Sequence, residues 1–460
     1  MRRATDADPV RALRQAVTQS AEAAVPAAAT IVVALSGGRD SMVLLDALNA
    51  AASSGGHAIA AVHVHHGLSP NADKWANFCA EHCAALGVPL EVRKVHVARA
   101  PQQSLEATAR SVRYAALSDA ASTLGAAHVA LAHHRDDQAE TLLLQLLRGA
   151  GPRGLAGMPT TAVTSDGITW LRPLLTTSRT SIDAYIDAVQ LRYVDDESNT
   201  SAAHRRNAVR LQVMPVLASV FPHPELTLAR AAGLQANAAR LADDLAALDA
   251  GDGASAFAPA LDRARLAALP EYRAANVLRW HLRQLGLPAP SSARLASMLA
   301  QLRQARADGK VHIVHAGRAI GVHRGRVIVH ALPTAPFDVL WRGESALTLP
   351  HGRLLFTRRA GQGLDESLLA HGPVRIRSRV GGERLSIGAG RPRRAVKSLL
   401  QEAGVPAWQR DSLPLAFCGD DLLWVAGLGF AAGVAAIAPA IGVVMTWHPN
   451  ESTINRADDP

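Results

Sequence analysis

A strand that runs into a glycine pair and then into an acid-bearing helix start is the feature that most constrains this chain. Residues Ile31 to Leu48 read IVVALSGGRDSMVLLDAL. Ile31 to Leu35, rich in β-branched side chains, predicts a buried strand, and Met42, Val43, Leu44, Leu45 and Leu48 recur at helical spacing. Between them, Gly37 and Gly38 lack the Cβ atoms that would hold a backbone away from an anion, while the open N–H groups and dipole of a first helical turn attract negative charge. This is a phosphate cradle opening an α/β unit. The common P-loop is excluded, because the only Gly-Lys pair, Gly309-Lys310, has neither the upstream glycine nor the following Ser/Thr. An acid such as Asp40 beside a polyphosphate is repulsive unless a divalent cation lies between them, so the motif points to a nucleotide with Mg²⁺.

At Ser36, Gly37, Gly38, Asp40 and Ser41 the chain resembles the PP-loop ATP pyrophosphatases, whose signature is SGGxDS. That resemblance implies cleavage of ATP between its α- and β-phosphates and transfer of AMP to an oxygen of the substrate. The ATP-binding candidates are Ser36, Gly37, Gly38, Arg39, Asp40 and Ser41, with Asp40 also the candidate metal ligand.

Up to about Val220 strand and helix patterns alternate: Ala58–His65 (strand), Ala72–Leu86 (helix), Leu90–Val97 (strand), Ser104–Leu124 (helix), His128–Ala132 (strand) and Asp136–Leu147 (helix). Such alternation predicts right-handed crossovers and a mainly parallel, doubly wound sheet with ligands at the carboxyl ends of its strands. The cradle, His63–Gly67 and His133–Asp137 all fall at such ends. In HVHHGLS, His63 and His65 share a strand face; with no carboxylate or cysteine beside them they read as lining a nucleotide pocket rather than holding a metal. In HHRDDQAET, Asp137 and Glu140 stand at i and i+3 on one helix face, where paired carboxylates can hold a cation or an ammonium group, and where they equally serve as first-turn acids. Gly149-Ala150-Gly151-Pro152-Arg153-Gly154 matches GxGxxG but follows a helix and carries a proline, so it fails the dinucleotide context and reads as an arginine-bearing loop. Arg110, Arg113, Arg172, Arg205, Arg206 and Arg210 supply guanidinium donors suited to phosphates or an RNA backbone.

Composition bounds the function class. The 460 residues are 48% hydrophobic and 19% charged, enough for two to four packed domains. The net charge of +9 favours a polyanionic partner. Nine Lys/Arg against two Glu between His371 and Arg410 give +7 of it, with Arg391, Arg393, Arg394 and Lys397 the candidate phosphate contacts, or else a solvated basic face. Three cysteines without a CxxC pair offer no disulfide framework or metal cluster, and the N-terminus lacks a secretory h-region, so a cytoplasmic enzyme is expected. The uncharged run Leu422–Trp447 reaches transmembrane length, but Pro439 and four glycines divide it into strand-sized pieces, and no membrane partner is expected.

SGGRDS, HVHHGLS, HHRDDQAET, RGAGPRGLAGM, LRPL, DDESN and RRNAVR, together with VRIRSRVGGERL and AVKSLLQEAGVPAWQRDSLPL, resemble in order and spacing the bacterial tRNA(Ile)-lysidine synthetases. The resemblance implies ATP-dependent attachment of L-lysine to C2 of the wobble cytidine of tRNA(Ile) with a CAU anticodon, through an adenylated cytidine. It places Asp40, Arg113, His133, Asp137 and Glu140 at the reacting centre, with the two acids as candidates for the lysine ammonium. The expected architecture is a PP-loop domain over residues 1–220, a helical connector and middle RNA-binding domain over 221–334, and a small basic mixed α+β domain over 335–460. A PP-loop tRNA thiolase would share the adenylation step, but members of that group usually depend on cysteine pairs that are missing here.

Overall fold

Successive apolar residues of the first strand face opposite sides of one sheet, and each side builds its own core. In the computed structural model, which describes residues 8–67, 69–97, 105–164, 166–195, 205–251, 260–305, 311–332, 335–388 and 390–450, the chain forms two compact units, Met1–Leu241 and Ala242–Pro460.

The first unit runs α1 (Pro9–Glu22), β1 (Thr30–Ala34), α2 (Arg39–Gly55), β2 (Ala58–His65), α3 (Ala72–Leu86), β3 (Leu90–Lys94), α4 (Leu105–Thr123), β4 (His128–Ala130), α5 (Arg135–Leu146), α6 (Pro152–Leu155), β5 (Thr161–Val163), β6 (Thr169–Leu171) and α7 (Arg179–Val189). Short α8 (Arg205–Ala208), a π-helical turn Val209–Val213 and α9 (Met214–Val220) precede the long helix α10 (Pro224–Ala250). The strand order is β3-β2-β1-β4-β6-β5, parallel except for β5. Ile31, Val33 and Leu35 pack with Leu13, Leu44, Ile182 and Tyr185 on one face, while Val32 packs with Val62, Leu117, Val129 and Trp170 on the other. The sheet is therefore doubly wound, as the alternation predicted.

This order fixes where a ligand can sit. From β1 the chain steps outward to β2 and β3, then returns to the far side of β1 at β4, so the loops after β1 and β4 diverge and leave a crevice at their carboxyl ends. Three helices are clamped behind it. Tyr185 of α7 donates to Asp46 of α2, and Arg14 of α1 donates to the Tyr185 hydroxyl at 2.9 Å and to Asp46 at 3.0 Å.

In the second unit, helices Arg263–Ala268, Glu271–Gln284 and Ser292–Gln304 pack on a four-stranded antiparallel sheet centred on Arg318–His323 and Arg326–Ala331. Its cores separate along the chain, one between Ala246 and Val327 and others between Trp341 and Met445. The C-terminal part carries two antiparallel sheets and the helix Val396–Glu402. The uncharged run is broken as its glycines predicted, into strands Asp421–Val425, Gly429–Phe430 and Ile441–Pro449. Among the described residues no helix is long and apolar enough to cross a membrane. The boundary between the two compact units falls inside α10, after Leu241.

Tyr185→Phe removes one buried hydroxyl from the three-helix clamp and leaves the Arg14–Asp46 pair in place. Urea denaturation should show a loss of about 1.5–3 kcal/mol, the range for a hydrogen bond to a charged group; an unchanged midpoint would remove the clamp from the stability of this unit.

Candidate active site

Two hydroxyls shape the cradle after β1. Ser41 Oγ donates to the Gly38 carbonyl at 2.8 Å and accepts from the Ser36 amide at 3.2 Å, while Ser36 Oγ lies 3.0 Å from it and accepts from the Gly38 amide at 3.3 Å. Gly37 sits at φ +83°, and a Cβ there would stand 2.9 Å from Val194 Cγ2 and 3.1 Å from Cys79 Sγ, so neither the backbone nor the space admits another residue. Gly38 is the N-cap of α2 and has no side chain to cover the helix start. The first-turn amides of Arg39, Asp40 and Ser41 are thus left for an anion. Behind the loop, buried His63 donates from Nδ1 to the Leu35 carbonyl at 2.9 Å, and burial lowers its pKa, which keeps the ring neutral.

The acids stand across the crevice at the start of α5. His134 is its N-cap: the Asp136 amide donates to Nδ1 at 3.3 Å, and the His134 amide donates to Asp137 Oδ2 at 3.0 Å. With Nδ1 accepting, the proton of the neutral ring is on Nε2, which lies 3.7 Å from Asp40 and 3.5 Å from Asp137. Burial opposes protonation of this fully buried ring, but Asp136, Asp137 and Asp40 outweigh it and raise its pKa. Burial, with Asp137 adding to it, raises the Asp40 carboxyl against the opposing pull of His134, Arg179 and Arg210. Asp40 Oδ1 is buried with no hydrogen-bond partner, which suits a cation.

Asp137 and Glu140 are both buried on one face of α5. Arg206 reaches Glu140 at 2.9 Å and Asp137 at 3.1 Å; Arg210 reaches Glu140 at 2.6 Å and Asp137 at 2.9 Å. Arg210 is carried on the π-helical turn, a geometry frequent at functional sites. Although burial opposes it, His134, Arg206 and His133 hold the Asp137 carboxyl down at about 2. Burial pushes His133 down to about 3, so it stays a neutral acceptor, and its Nδ1 is buried without a partner. Burial also lowers Arg113, whose guanidinium lies 6.0 Å from the centre of the Tyr114 ring.

The comparisons with known proteins agree along the chain. A PP-loop domain model matches residues 10–217, a TilS substrate binding domain model 261–328, and a TilS substrate C-terminal domain model 374–447. The tRNA(Ile)-lysidine synthase of Nitrosomonas europaea is 39% identical over 428 residues, covering 92% of each chain. That of Burkholderia pseudomallei is 41% identical over 466 residues, covering 93% of this chain and 95% of its own. This chain belongs to the tRNA(Ile)-lysidine synthase family. It carries the ATP-using PP-loop domain of that family and both of its substrate domains.

The structure brings Asp40, His133, Asp137 and Glu140 to the carboxyl ends of β1 and β4 and gives several of the candidate residues partners within the chain. The Arg39 guanidinium is held by Asp183 at 2.6 Å and lies over the Tyr193 ring, while its amide stands in the first turn of α2. Arg206 and Arg210 pair with buried carboxylates, which need the partners they provide. For the same reason Asp137 and Glu140 are not bare acceptors. Arg205 is exposed, as are Arg391, Arg393, Arg394 and Lys397, although Arg394 pairs with Glu402 at 3.0 Å. Among the described residues no group of three His, Cys, Asp or Glu could hold a metal, and His65 instead contacts Asp73 at 3.1 Å. Leu68 of HVHHGLS and Asp196 to Asn199 of DDESN lie outside the described residues. Sequence reasoning missed His134, although a polar residue three positions before Asp137 is the pattern of a helix-capping box.

Two measurements follow from this geometry. Gly37→Ala should reduce ATP turnover at least about 100-fold, the scale of losing one preorganised anion donor, while circular dichroism stays near that of the wild type; full activity would dismiss the close packing at Gly37. The Asp137 carboxyl, ordinarily near 3.8 and held at about 2, contributes stability that is complete above about pH 4 and is lost as pH falls through 2. In Asp137→Asn the unfolding midpoint should therefore fall less steeply over that window; an unchanged acid limb would show that the carboxylate is not held ionised.

Proposed function

We propose that this protein joins L-lysine to C2 of the wobble cytidine in tRNA(Ile) with a CAU anticodon, forming lysidine, with ATP converted to AMP and pyrophosphate. The observation that carries this reading is the placing of a buried acid pair across one crevice from an open phosphate cradle. A cation-accepting pair is what a lysine ammonium requires, and a cradle of main-chain amides is what a triphosphate requires.

The cytidine C2 oxygen attacks the α-phosphorus, pyrophosphate leaves, and the ε-amine of lysine then attacks C2 and releases AMP. The amides of Arg39, Asp40 and Ser41 hold phosphate oxygens, and Arg113 stabilises charge on the adenylated cytidine. Asp40, through its unpartnered Oδ1, would hold Mg²⁺, which neutralises phosphate charge when bound. Asp137 and Glu140 receive the ammonium, and neutral His133 accepts a hydrogen bond beside them. The cysteines oppose the thiolase alternative: burial pushes the Cys79 and Cys83 thiols up to about 12 and about 11, so neither offers a thiolate. Mass spectrometry of anticodon nucleosides after incubation with tRNA, ATP and lysine should show a lysine adduct of cytidine. A sulfur-bearing nucleoside, or unmodified cytidine, would overturn the reading.

Asp40→Asn should keep its fold and lose about 10²–10³ in tRNA-dependent pyrophosphate release; unchanged turnover would take Asp40 out of the mechanism. Glu140→Gln should raise KM for lysine about tenfold, equivalent to about 1.4 kcal/mol, and change KM for ATP much less. Equal effects on both would assign Glu140 to holding Arg206 and Arg210 alone.

The TilS substrate domains support tRNA binding by the second unit. Replacing Arg391, Arg393, Arg394 and Lys397 by alanine should weaken tRNA binding and flatten its dependence on log[salt] by about 1 for each phosphate that is no longer neutralised, with turnover at saturating tRNA little changed. A collapse of that turnover in a folded variant would put these residues in the reacting centre.

A further inference from the structure

Strands Pro414–Cys418 and Asp421–Val425 form a tight antiparallel hairpin, and a cavity of about 410 Å³ opens at its turn end. That volume falls within the range of about 300–1,000 Å³ seen for small-ligand sites. The cavity lies where two apolar cores meet, with Leu368, Leu423 and Val434 lining it from one and Leu385 and Leu422 from the other, so its floor is apolar. Arg384, Arg393 and Asp421 also line it, and all three are exposed, which gives it a charged mouth. The segment that carries the two arginines is pinned. Arg384 donates to the Arg393 carbonyl at 2.7 Å, Ser386 Oγ donates to the Arg391 carbonyl at 2.7 Å, and Arg384 and Leu385 pair with Ala395 and Arg394 as short strands. Arg393 comes no closer to Asp421 than 3.9 Å, beyond direct hydrogen bonding, so both keep their hydrogen-bonding capacity for a ligand.

A ligand for this cavity needs an apolar body for the floor, an anionic group for the guanidiniums and hydroxyl or amine donors for the carboxylate. A single nucleotide has all three: a base to bury, a phosphate for planar guanidinium forks, and ribose hydroxyls for an acid. A base inside a stem cannot enter, since its faces are stacked and its pairing edge is taken, and proteins read individual RNA bases where they are unpaired. Two free hydroxyls on one ribose belong to a 3′ end. Most of the lining falls within residues 374–447, the stretch matched by the TilS substrate C-terminal domain. We propose that this cavity holds the 3′-terminal nucleotide of the tRNA, with its base on the leucine floor, its phosphate at Arg384 and Arg393, and its ribose diol at Asp421. The inference rests on tRNA binding by the second unit and is independent of the lysine chemistry. Free AMP carries the same groups and is the competing source.

Cys418 lines the cavity and is half-buried, whereas Cys79 and Cys83 are buried, so its alkylation by iodoacetamide reports occupancy in the full chain. Followed by mass spectrometry, intact tRNA(Ile) at about ten times its Kd should slow this reaction about tenfold, because about one chain in eleven stays free. The same tRNA trimmed of its single-stranded 3′ nucleotides, brought to equal occupancy by filter binding, should leave the rate unchanged, as should AMP at the same concentration. Arg384→Gln and Asp421→Asn should each weaken binding of intact tRNA about fivefold, with an unchanged circular dichroism spectrum, and affect trimmed tRNA much less. Equal protection by intact and trimmed tRNA, or protection by neither while both bind, overturns the proposal and leaves tRNA binding standing. So do variants that weaken both tRNAs alike, or protection by AMP without protection by tRNA, which assigns the cavity to a free nucleotide. A chain that binds neither tRNA overturns the tRNA-binding role of the unit and this proposal with it.

Discussion

The N-terminal unit depends on main-chain amides left open at one helix start. Gly38 caps α2 without a side chain, Gly37 turns the chain through a conformation where Val194 and Cys79 leave no room for a Cβ, and the two serine hydroxyls are spent holding this shape. The doubly wound sheet places that start beside the point where β1 and β4 part, so the cradle opens into a crevice rather than onto a flat surface. Binding through amides also needs no cationic side chain. Arg39 is free to serve the fold through Asp183 and Tyr193.

The second constraint is charge balance in a buried place. Asp137 and Glu140 would be costly to bury alone, and Arg206 and Arg210 satisfy them with forked hydrogen bonds. His134 links this group to Asp40 through Nε2, so the acid of the cradle and the acids of α5 belong to one electrostatic unit. In the proposed reaction the ammonium of lysine enters a site already shaped for positive charge. Its arrival requires a redistribution of partners around the two carboxylates.

Much of this was legible because it is local. The strand, the glycine pair and the first turn of α2 are contiguous, and β2, α3, β3, α4 and β4 fell within a few residues of where the periodicity put them. The i, i+3 spacing of Asp137 and Glu140 told that they share a face, but not what opposes that face. Arg206 and Arg210 are more than sixty residues away in sequence, and no periodicity marks them as partners. The π-helical turn that aims Arg210 has no sequence signature of its own. His134 was hidden by its neighbour His133, since only the backbone reveals which of two adjacent histidines caps the helix.

The central claim is that the cradle presents the α-phosphate of ATP to an oxygen of the substrate base. Labelling decides it directly. With tRNA carrying ¹⁸O at C2 of the wobble cytidine, single-turnover reaction with ATP and lysine should place the label in the phosphate of AMP, because the C2 oxygen becomes the bridging atom of the intermediate and departs with it. Label found in water or in pyrophosphate, or AMP formed without ¹⁸O, would contradict adenylation of that oxygen and with it this account of the site.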